Sequence, residues 1–577
     1  VVNRAHLTTV RVCSALRDVL GQRGYSGSDL KADVLAGLSV AVVAMPLAMA
    51  LAIASGVPPQ FGLYSAIVAG LVASLTGGSR FSVTGPTAAF VVVLAPISAH
   101  YGLAGLATAG LMAGLIMIVL AVAKLGRLIE YVPEPVTVGF TAGIAVVIAV
   151  LQLGDLLGLR LPAMPEEFLG KAASIVTALP SVSWPAILVS AATFGVMAAW
   201  PSRRWSMPGY APAIAAGAAV AALLAASGHP VATIGSRFAY EAGGRLMHGV
   251  PGMLPHLALP WKLPGAVGGH FALSLSTVRE LVPAAVSIAL LGAIESLLCA
   301  VVLDRSSSTR HHSNGELLGQ GLANVVAPFF GAVPSTAAIA RSAANLKAGA
   351  RTPLAAAFHS LFVLAGVLVF APALSFVPMA SMAAVLVSVA WNMSEAPTVV
   401  RLFRQAARAD RLVFAVCFSL TVVFDMVIAI GVGIVLASFL FMRDIARFTQ
   451  VRDISDSARY VGEPLGPDWR VVKVTGAMFF AAAERVLSQL LAETPAGSNI
   501  IVYADGVTLL DAGGVSALER FGTECEARGI RVILADLQPQ PARAARASGI
   551  AQVPALELVG TLTEAVDIAR RELLKSA

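Results

Sequence analysis

The sequence predicts a polytopic α-helical membrane protein of fourteen spanning segments, followed by a small soluble α/β domain. Three observations carry that reading. Hydrophobic residues make up 57% of the 577-residue chain and charged ones only 13%, for a mean hydropathy of +0.80, the composition of an integral membrane protein. Apolar segments begin near residues 33, 60, 84, 103, 133, 184, 208, 278, 316, 335, 353, 378, 411 and 427. The apolar character stops near Phe441, and over 450–577 strand and helix patterns alternate as in a compact α/β domain.

Charge orients the segments. Residues 1–32 are polar and mixed in charge, with no signal-peptide core. With that segment in the cytoplasm, the inside loops hold Arg80, Lys124 and Arg127, Arg203 and Arg204, Arg305 and Arg310, Lys347 and Arg351. They continue with Arg401, Arg404, Arg408 and Arg411, then Arg443 and Arg447. The short outside loops near residues 57, 100, 332, 375 and 425 carry no Lys or Arg. Positive residues are kept inside most strictly in short loops, so both termini are expected in the cytoplasm and the membrane domain over 33–445. The long outside connection at about 227–275 separates a first repeat (about 33–226) from a second (about 278–445). Seven segments is an odd number, so the second repeat is inverted relative to the first.

The third and tenth segments are shorter than the roughly 20 residues a full crossing needs, and they echo each other. Gly85-Pro86-Thr87-Ala88-Ala89 in one is matched by Pro334-Ser335-Thr336-Ala337-Ala338 in the other, with Gly70-Leu71 and Gly321-Leu322 upstream. Interrupted segments at matching places in two halves point to a binding site at the repeat interface. Pro86 and Pro334 are expected in the first turn of each half-helix, with Thr84, Ser335 or Thr336 supplying a capping oxygen. The unpaired N–H groups and positive dipole end of each helix suit an anion. Gly85, Ala88 and Ala337 admit a ligand to the backbone, and Thr87, Ser335 and Thr336 offer hydroxyls. The competing reading is that Pro and Gly are tolerated kinks between packed helices.

Two charged side chains fall inside this apolar frame. Glu295 lies in Leu281–Leu303, which has no other acidic or basic residue; it is read as the proton-coupling residue, against a structural role bonded to a neighbouring backbone. Gly292 and Cys299 on its helical face are expected to leave room for water or substrate. Arg341, six residues after Ser335 and about 9 Å along the helix, either adds fixed charge to the cradle or, being offset from Thr336 by about 140°, snorkels to the cytoplasmic surface. Asp425 and Glu134 are read as turn and helix-start residues, His311 and His312 as solvated loop residues, and Gly110-x-x-x-Gly114 as a close-packing pattern.

In the soluble domain, Trp469–Val474, Asn499–Ala504 and Ile530–Leu537 read as strands. Ala481–Glu493, Gly514–Arg528, Gln540–Ser548 and Leu562–Leu573 read as helices. Four scattered cysteines match no metal or disulfide spacing. No Ser-His-Asp set, phosphate loop or metal spacing is present, so neither an enzymatic activity nor a cofactor is expected. The net charge of +7 is accounted for by membrane loops and needs no nucleic acid.

Over nearly its whole length the chain resembles the SulP family of anion transporters. The resemblance rests on Pro58-Pro-Gln-Phe-Gly-Leu-Tyr64, Thr84-Gly-Pro-Thr87, Tyr131-Val-Pro-Glu-Pro-Val-Thr-Val-Gly-Phe140 and Ala340-Arg-Ser-Ala-Ala-Asn345. The tail is similar to the family's STAS domain through Gly476-Ala-Met-Phe-Phe-Ala481 and Leu510-Asp-Ala-Gly-Gly514. The family implies core and gate domains, with the anion between half-helices three and ten. Thr87, Ala88, Thr336 and Ala337 match the half-helix starts, Arg341 the basic position and Glu295 the eighth-helix coupling carboxylate. It further implies a homodimer in the bacterial inner membrane.

Two departures narrow the function. Many members carry Pro-Gln then Met-Ala-Tyr in the first helix, where this chain has Pro46-Leu47-Ala48-Met49-Ala50-Leu51; losing the amide and the phenol weakens a sulfate assignment. The same stretch, with Leu291–Cys299 and Trp391-Asn-Met-Ser-Glu-Ala396, resembles DauA-type C4-dicarboxylate transporters, which implies import of succinate, fumarate, malate or aspartate with protons, sodium being the other coupling ion Glu295 allows. Alternatives are a bicarbonate, chloride or sulfate exchanger, or a membrane-tethered STAS sensor. A Ser follows the loop Asp in phosphorylation-switched STAS domains; here it is Ala512, leaving a cytoplasmic protein partner as the remaining role for that surface.

Overall fold

The computed structural model describes residues 10–22, 24–126, 132–161, 165, 168–200, 209–242, 245–266, 271–424, 426–550 and 553–576. Arg127, Tyr131, Arg203, Arg204 and Asp425 lie outside the described residues. Two compact units result, one extending to Ile434 and one beginning at Val435, with the dividing point inside the Met426–Phe448 helix.

Each of the fourteen expected segments is helical, the last of them being the Met426–Phe448 helix in which the two units divide. Among the described residues eight helices are long and apolar enough to cross a bilayer, and Phe168–Ser181 with Trp184–Ala199, bent by 111°, makes a ninth. Ala88–Val122 holds two segments, because at Gly102 the backbone turns to φ 68°, ψ −164°, a conformation essentially confined to glycine. Tyr210–Ala226, Ser313–Val326, Ile339–Lys347 and Arg408–Val423 supply the shorter ones.

Packing sorts these helices into two groups. Gly27–Ala54, Pro59–Thr76, Ala88–Val122, Leu275–Ser307, Ser313–Val326 and Leu354–Leu374 pack on one another, while Glu134–Leu157 gathers Met379–Met393, Arg408–Val423 and Trp184–Ala199. They are the core and gate of a seven-plus-seven inverted repeat. The Gly110-x-x-x-Gly114 pattern does what its spacing implies: a Cβ on Gly114 would fall 2.7 Å from the Gly321 carbonyl oxygen, and one on Gly110 2.9 Å from the Pro334 ring. The second repeat is thereby pressed against the first where the tenth segment begins.

In the outside connection Ala239–Ala242 (β2) and Arg245–His248 (β3) form an antiparallel hairpin. Two local expectations need correction. His311 is buried and bonded through Nδ1 to Asp304 at 2.8 Å, and His312 Nε2 meets Asp18 at 2.7 Å, so neither imidazole is simply solvated. The room expected over Gly292 is taken up by the Phe90 ring, which a Cβ there would meet at 3.3 Å.

The second unit is a five-stranded sheet in the order β5-β6-β7-β8-β9 (Gln450–Asp453, Trp469–Met478, Asn499–Leu510, Arg531–Ala535, Leu556–Val559). β5 runs antiparallel to β6 and the remaining pairs are parallel. The expected strands and helices are present, and β5 and β9 add to them. Asp511 caps the Ala512–Ala527 helix by accepting from Gly514 N at 2.7 Å, which explains the Asp-x-Gly-Gly spacing as a helix start.

Candidate anion-binding site

The two echoed segments meet. Thr84–Gly85 (β1) and Thr336–Ala337 (β4) form a two-residue antiparallel ladder, Thr84 opposite Ala337 and Gly85 opposite Thr336. Pro86 therefore follows one strand and Pro334 precedes the other, and the half-helices start later, at Ala88 and Ile339. The prolines are not first-turn residues as expected; lacking an N–H, they bound a ladder too short to need one. The N-caps are Thr87 and Ala338, both extended, and neither side chain caps its own helix. First-turn N–H groups are thus left without a side-chain partner at both helix starts.

Polar groups behind the ladder fix its register. Gln320 Nε2 donates to Thr84 Oγ1 at 2.7 Å and to Glu316 Oε1 at 3.0 Å. Glu316 Oε2 accepts from the N–H groups of Gly78 and Ser79 at 3.0 and 2.9 Å, holding the break before β1. On the other strand Asn324 accepts from Ser335 N at 2.9 Å and donates to Ser335 O at 2.8 Å, while the Ser335 hydroxyl donates to Val333 O at 3.0 Å. Thr84 and Ser335 thus anchor the ladder to the Ser313–Val326 helix instead of capping helices. The Thr336 hydroxyl meets Ser296 Oγ at 2.5 Å and donates to Gly292 O at 3.1 Å.

At the face of the cradle, Thr87 Oγ1 donates to Glu295 Oε2 at 3.0 Å, joining the first half-helix to the only carboxylate within residues 281–303. Ala88 and Ala337 are buried, whereas Ala338 is half-buried and Ile339 and Ala340 are exposed. Arg341 is 2% exposed, so it does not snorkel. Its Nη2 donates to Pro86 O at 2.9 Å, and Nη1 lies where a Cβ on Gly85 would collide with it. Nε and Nη1 have no hydrogen-bond partner, and no ion pair to Arg341 occurs among the described residues. A buried guanidinium without a counter-charge is unfavourable, and it stands beside the backbone crossing of both repeats. His359 is likewise fully buried, with neither ring nitrogen bonded.

The sequence reading missed Glu316, Gln320 and Asn324. Their signal was available: three polar residues at i, i+4 and i+8 share one face of the apolar Ser313–Val326 helix. A cavity of about 360 Å³ lies elsewhere, lined by Ala95, Pro96, Gln152, Asp155 and Arg237 among others, at the far end of the first half-helix, and contains no residue of the cradle.

Crossed half-helices within a core-and-gate bundle, joined in sequence to an α/β domain, define a membrane carrier with its site at the repeat interface. The chain belongs to the SulP, or sulfate permease, family: the family profile matches residues 30–417, and the STAS domain profile matches residues 465–565. It is similar to YvdB of Bacillus subtilis (strain 168), a candidate sulfate transporter, at 36% identity over 92% of this chain and 95% of that protein. It also resembles the bicarbonate transporter BicA of Picosynechococcus sp., at 26% identity over 79% of this chain and 80% of that one. The solved transmembrane domain of a cyanobacterial BicA superposes with a TM-score of 0.58 at 26% identity, over 71% of this chain and 98% of that one. Murine Slc26a9 in its inward-facing state shares the fold, with a TM-score of 0.80 at 18% identity over 97% and 94% of the two chains. The protein is a multi-pass anion transporter with a STAS domain, and not an enzyme.

Proposed function

We propose that the protein imports C4-dicarboxylates together with protons, the anion being held between the starts of the Ala88 and Ile339 half-helices. The observation that carries this reading is Arg341, a buried guanidinium with two nitrogens unbonded beside Gly85 and Pro86. On this reading Gly85, Thr87, Ala88, Thr336 and Ala337 surround the bound anion, and Ser335 holds the second strand in place. An anion accepting from Arg341 and from first-turn N–H groups supplies the missing negative charge. Glu295, bonded to the cap residue Thr87, places a second carboxylate beside the bound one. Two like charges at that spacing repel, and a proton on Glu295 removes the repulsion. Anion binding and proton uptake thus favour each other, which is the requirement for symport. The chain then works by movement of core against gate, as a homodimer in the bacterial inner membrane with both termini cytoplasmic; the Lys and Arg distribution supports that orientation.

A second reading, bicarbonate or sulfate, is favoured by the names carried by BicA and YvdB. The two separate in proteoliposomes. Labelled succinate is expected to accumulate under an inward proton gradient in the wild type, and Glu295→Gln to retain exchange while losing gradient-driven accumulation. Absence of succinate uptake by protein that takes up bicarbonate or sulfate replaces the substrate. Gradient-driven accumulation that survives in Glu295→Gln removes the coupling residue. Replacing the proton gradient with a sodium gradient tests the other ion.

A further inference from the structure

The cavity of about 360 Å³ at the far end of the first half-helix takes no part in the site described above, yet its wall carries charge. Pro96 on that wall follows Ala88 by eight residues, about 12 Å along the helix. Core and gate both contribute. Ala54 and Pro96 come from the core helices Gly27–Ala54 and Ala88–Val122, Gln152 and Asp155 from the last turns of the gate helix Glu134–Leu157. The two core walls lead into the connections near residues 57 and 100, which carry no Lys or Arg and are outside by the positive-inside rule. The cavity therefore occupies the seam between core and gate that an anion from outside enters before the cradle.

Three observations make it a built site. Arg237 Nη1 donates to Asp155 Oδ1 at 2.5 Å, and the two side chains are 48% and 32% exposed, so solvent reaches the pair. Arg237 is held on a fixed perch: its short helix Ile234–Arg237 opens with a Thr233–Ser236 capping box. Ile234 N and Gly235 N donate to Val377 O and Ser375 O at 2.9 and 2.8 Å. Gln152, three residues before Asp155 on the same helix, is 8% exposed, lines the cavity and has no hydrogen-bond partner among the described residues. A buried amide left unbonded calls for a physical reason, and a visiting polar ligand is one.

Lys171 also lines the cavity, so two cations face one carboxylate and the wall keeps a positive excess. A concave positive wall concentrates anions from solution. The solvated Asp155–Arg237 pair is weak, and an incoming carboxylate can take the place of Asp155 on the same guanidinium at little cost. The Gln152 amide adds an N–H donor. We propose that this cavity is an outer waiting site for the transported anion, in which a substrate carboxylate replaces Asp155 on Arg237 before passing to the cradle. The proposal rests on the reading of the chain as an importer of carboxylates.

The test is the external concentration that gives half-maximal exchange, measured with labelled succinate in right-side-out membrane vesicles loaded with saturating succinate. Arg237→Gln removes the positive excess and is expected to raise that concentration about fivefold, the effect of one unit charge on a nearby dianion in water. Asp155→Asn removes the competing carboxylate and is expected to lower it by a similar factor. The double variant restores the charge balance and is expected to fall between the two. Gln152→Met keeps the volume, loses the donor, and is expected to raise the concentration about threefold. A purely structural ion pair has a different signature, because loss of either partner then harms exchange alike. Equal losses in Arg237→Gln and Asp155→Asn, or no change in either, overturn the proposal. The maximum exchange rate reports folded protein; should Arg237→Gln not fold, Lys171→Gln removes the same charge and is expected to give the same rise. A wild type that exchanges no succinate refutes the dicarboxylate reading, and the same variants, assayed with sulfate and bicarbonate, must still shift in opposite directions for the waiting site to stand.

Discussion

Two arginines, one in each unit, show how this chain uses charge. Arg470 in the cytoplasmic domain is partly exposed and held by two carboxylates, Asp453 Oδ2 and Glu493 Oε2, each at 2.8 Å. Arg341 in the membrane core is buried, bonded to a single carbonyl, and among the described residues has no carboxylate partner. The first is a closed arrangement in which every charge has its counterpart within the fold. The second is open, and a guanidinium kept in low dielectric without a partner is retained for a ligand, since as a structural element it is inferior to an apolar side chain. Removing Arg341 should therefore injure transport and spare stability, and removing Arg470 should do the reverse.

The largest expected effect is at Arg341. Arg341→Met removes the charge but keeps much of the volume, and succinate affinity in exchange is expected to fall at least about 30-fold, the worth of charge-assisted hydrogen bonds at roughly 2 kcal/mol or more. Thermal stability in detergent should hold or rise, because an uncompensated buried charge disappears. A drop in stability that matches the transport loss would erase the contrast with Arg470. A smaller effect is expected at Gly85. A Cβ there meets Arg341 Nη1, so Gly85→Ala must push the guanidinium aside while leaving its charge in place. An affinity loss of about tenfold is expected, less than for Arg341→Met, since displacement costs part of the hydrogen bonding. Gly85→Ala in the Arg341→Met background should then add little, and a fully additive double mutant would show that Gly85 acts independently of Arg341.

The difference between the two arginines was only partly legible in the sequence. Fourteen helical segments could be read because apolar length is a local property. The meeting of the two echoed segments was also legible, because the Gly-Pro-Thr-Ala and Pro-Ser-Thr-Ala echo survives as a motif. Their geometry was not. Whether Pro86 and Pro334 open a helix or bound a strand is decided by pairing between Thr84 and Ala337, partners from opposite repeats, and no local propensity contains that. The same error left Arg341 ambiguous: its 140° offset was counted from Thr336 as though both were helical, whereas the helix begins at Ile339. Gln450–Asp453 went unread for a simpler reason, being a polar edge strand without apolar alternation. Leu556–Val559, four residues long, has too little alternation to stand out. Glu316, Gln320 and Asn324 had the right spacing, and three polar groups on one face of a membrane helix mark a buried network as readily as a charge marks a ligand.

The smallest expected effect closes the comparison at Arg470. Burial alone would raise the Asp453 carboxyl, but hydrogen bonds from Arg470 and Ser455 outweigh it and hold the group below its usual value. At Glu493 the hydrogen bond from Arg470 is the main cause of a shift in the same direction. A carboxylate lowered in the folded state stabilises it above its unfolded value, near 4, and that contribution is lost as pH falls through the folded value. Arg470→Gln should therefore weaken the domain at neutral pH, by less than about 1 kcal/mol for the Asp453 pair because both groups meet solvent. The deficit should shrink as pH drops below about 4, where both carboxylates of the wild type take up protons. Hydrogen exchange of the peptide carrying Trp469–Met478, corrected for intrinsic pH dependence, reads this directly in the full-length protein. Exchange of succinate is expected to stay at the wild-type rate, and a transport defect in Arg470→Gln as large as that of Arg341→Met would mean that the closed arrangement is not merely structural.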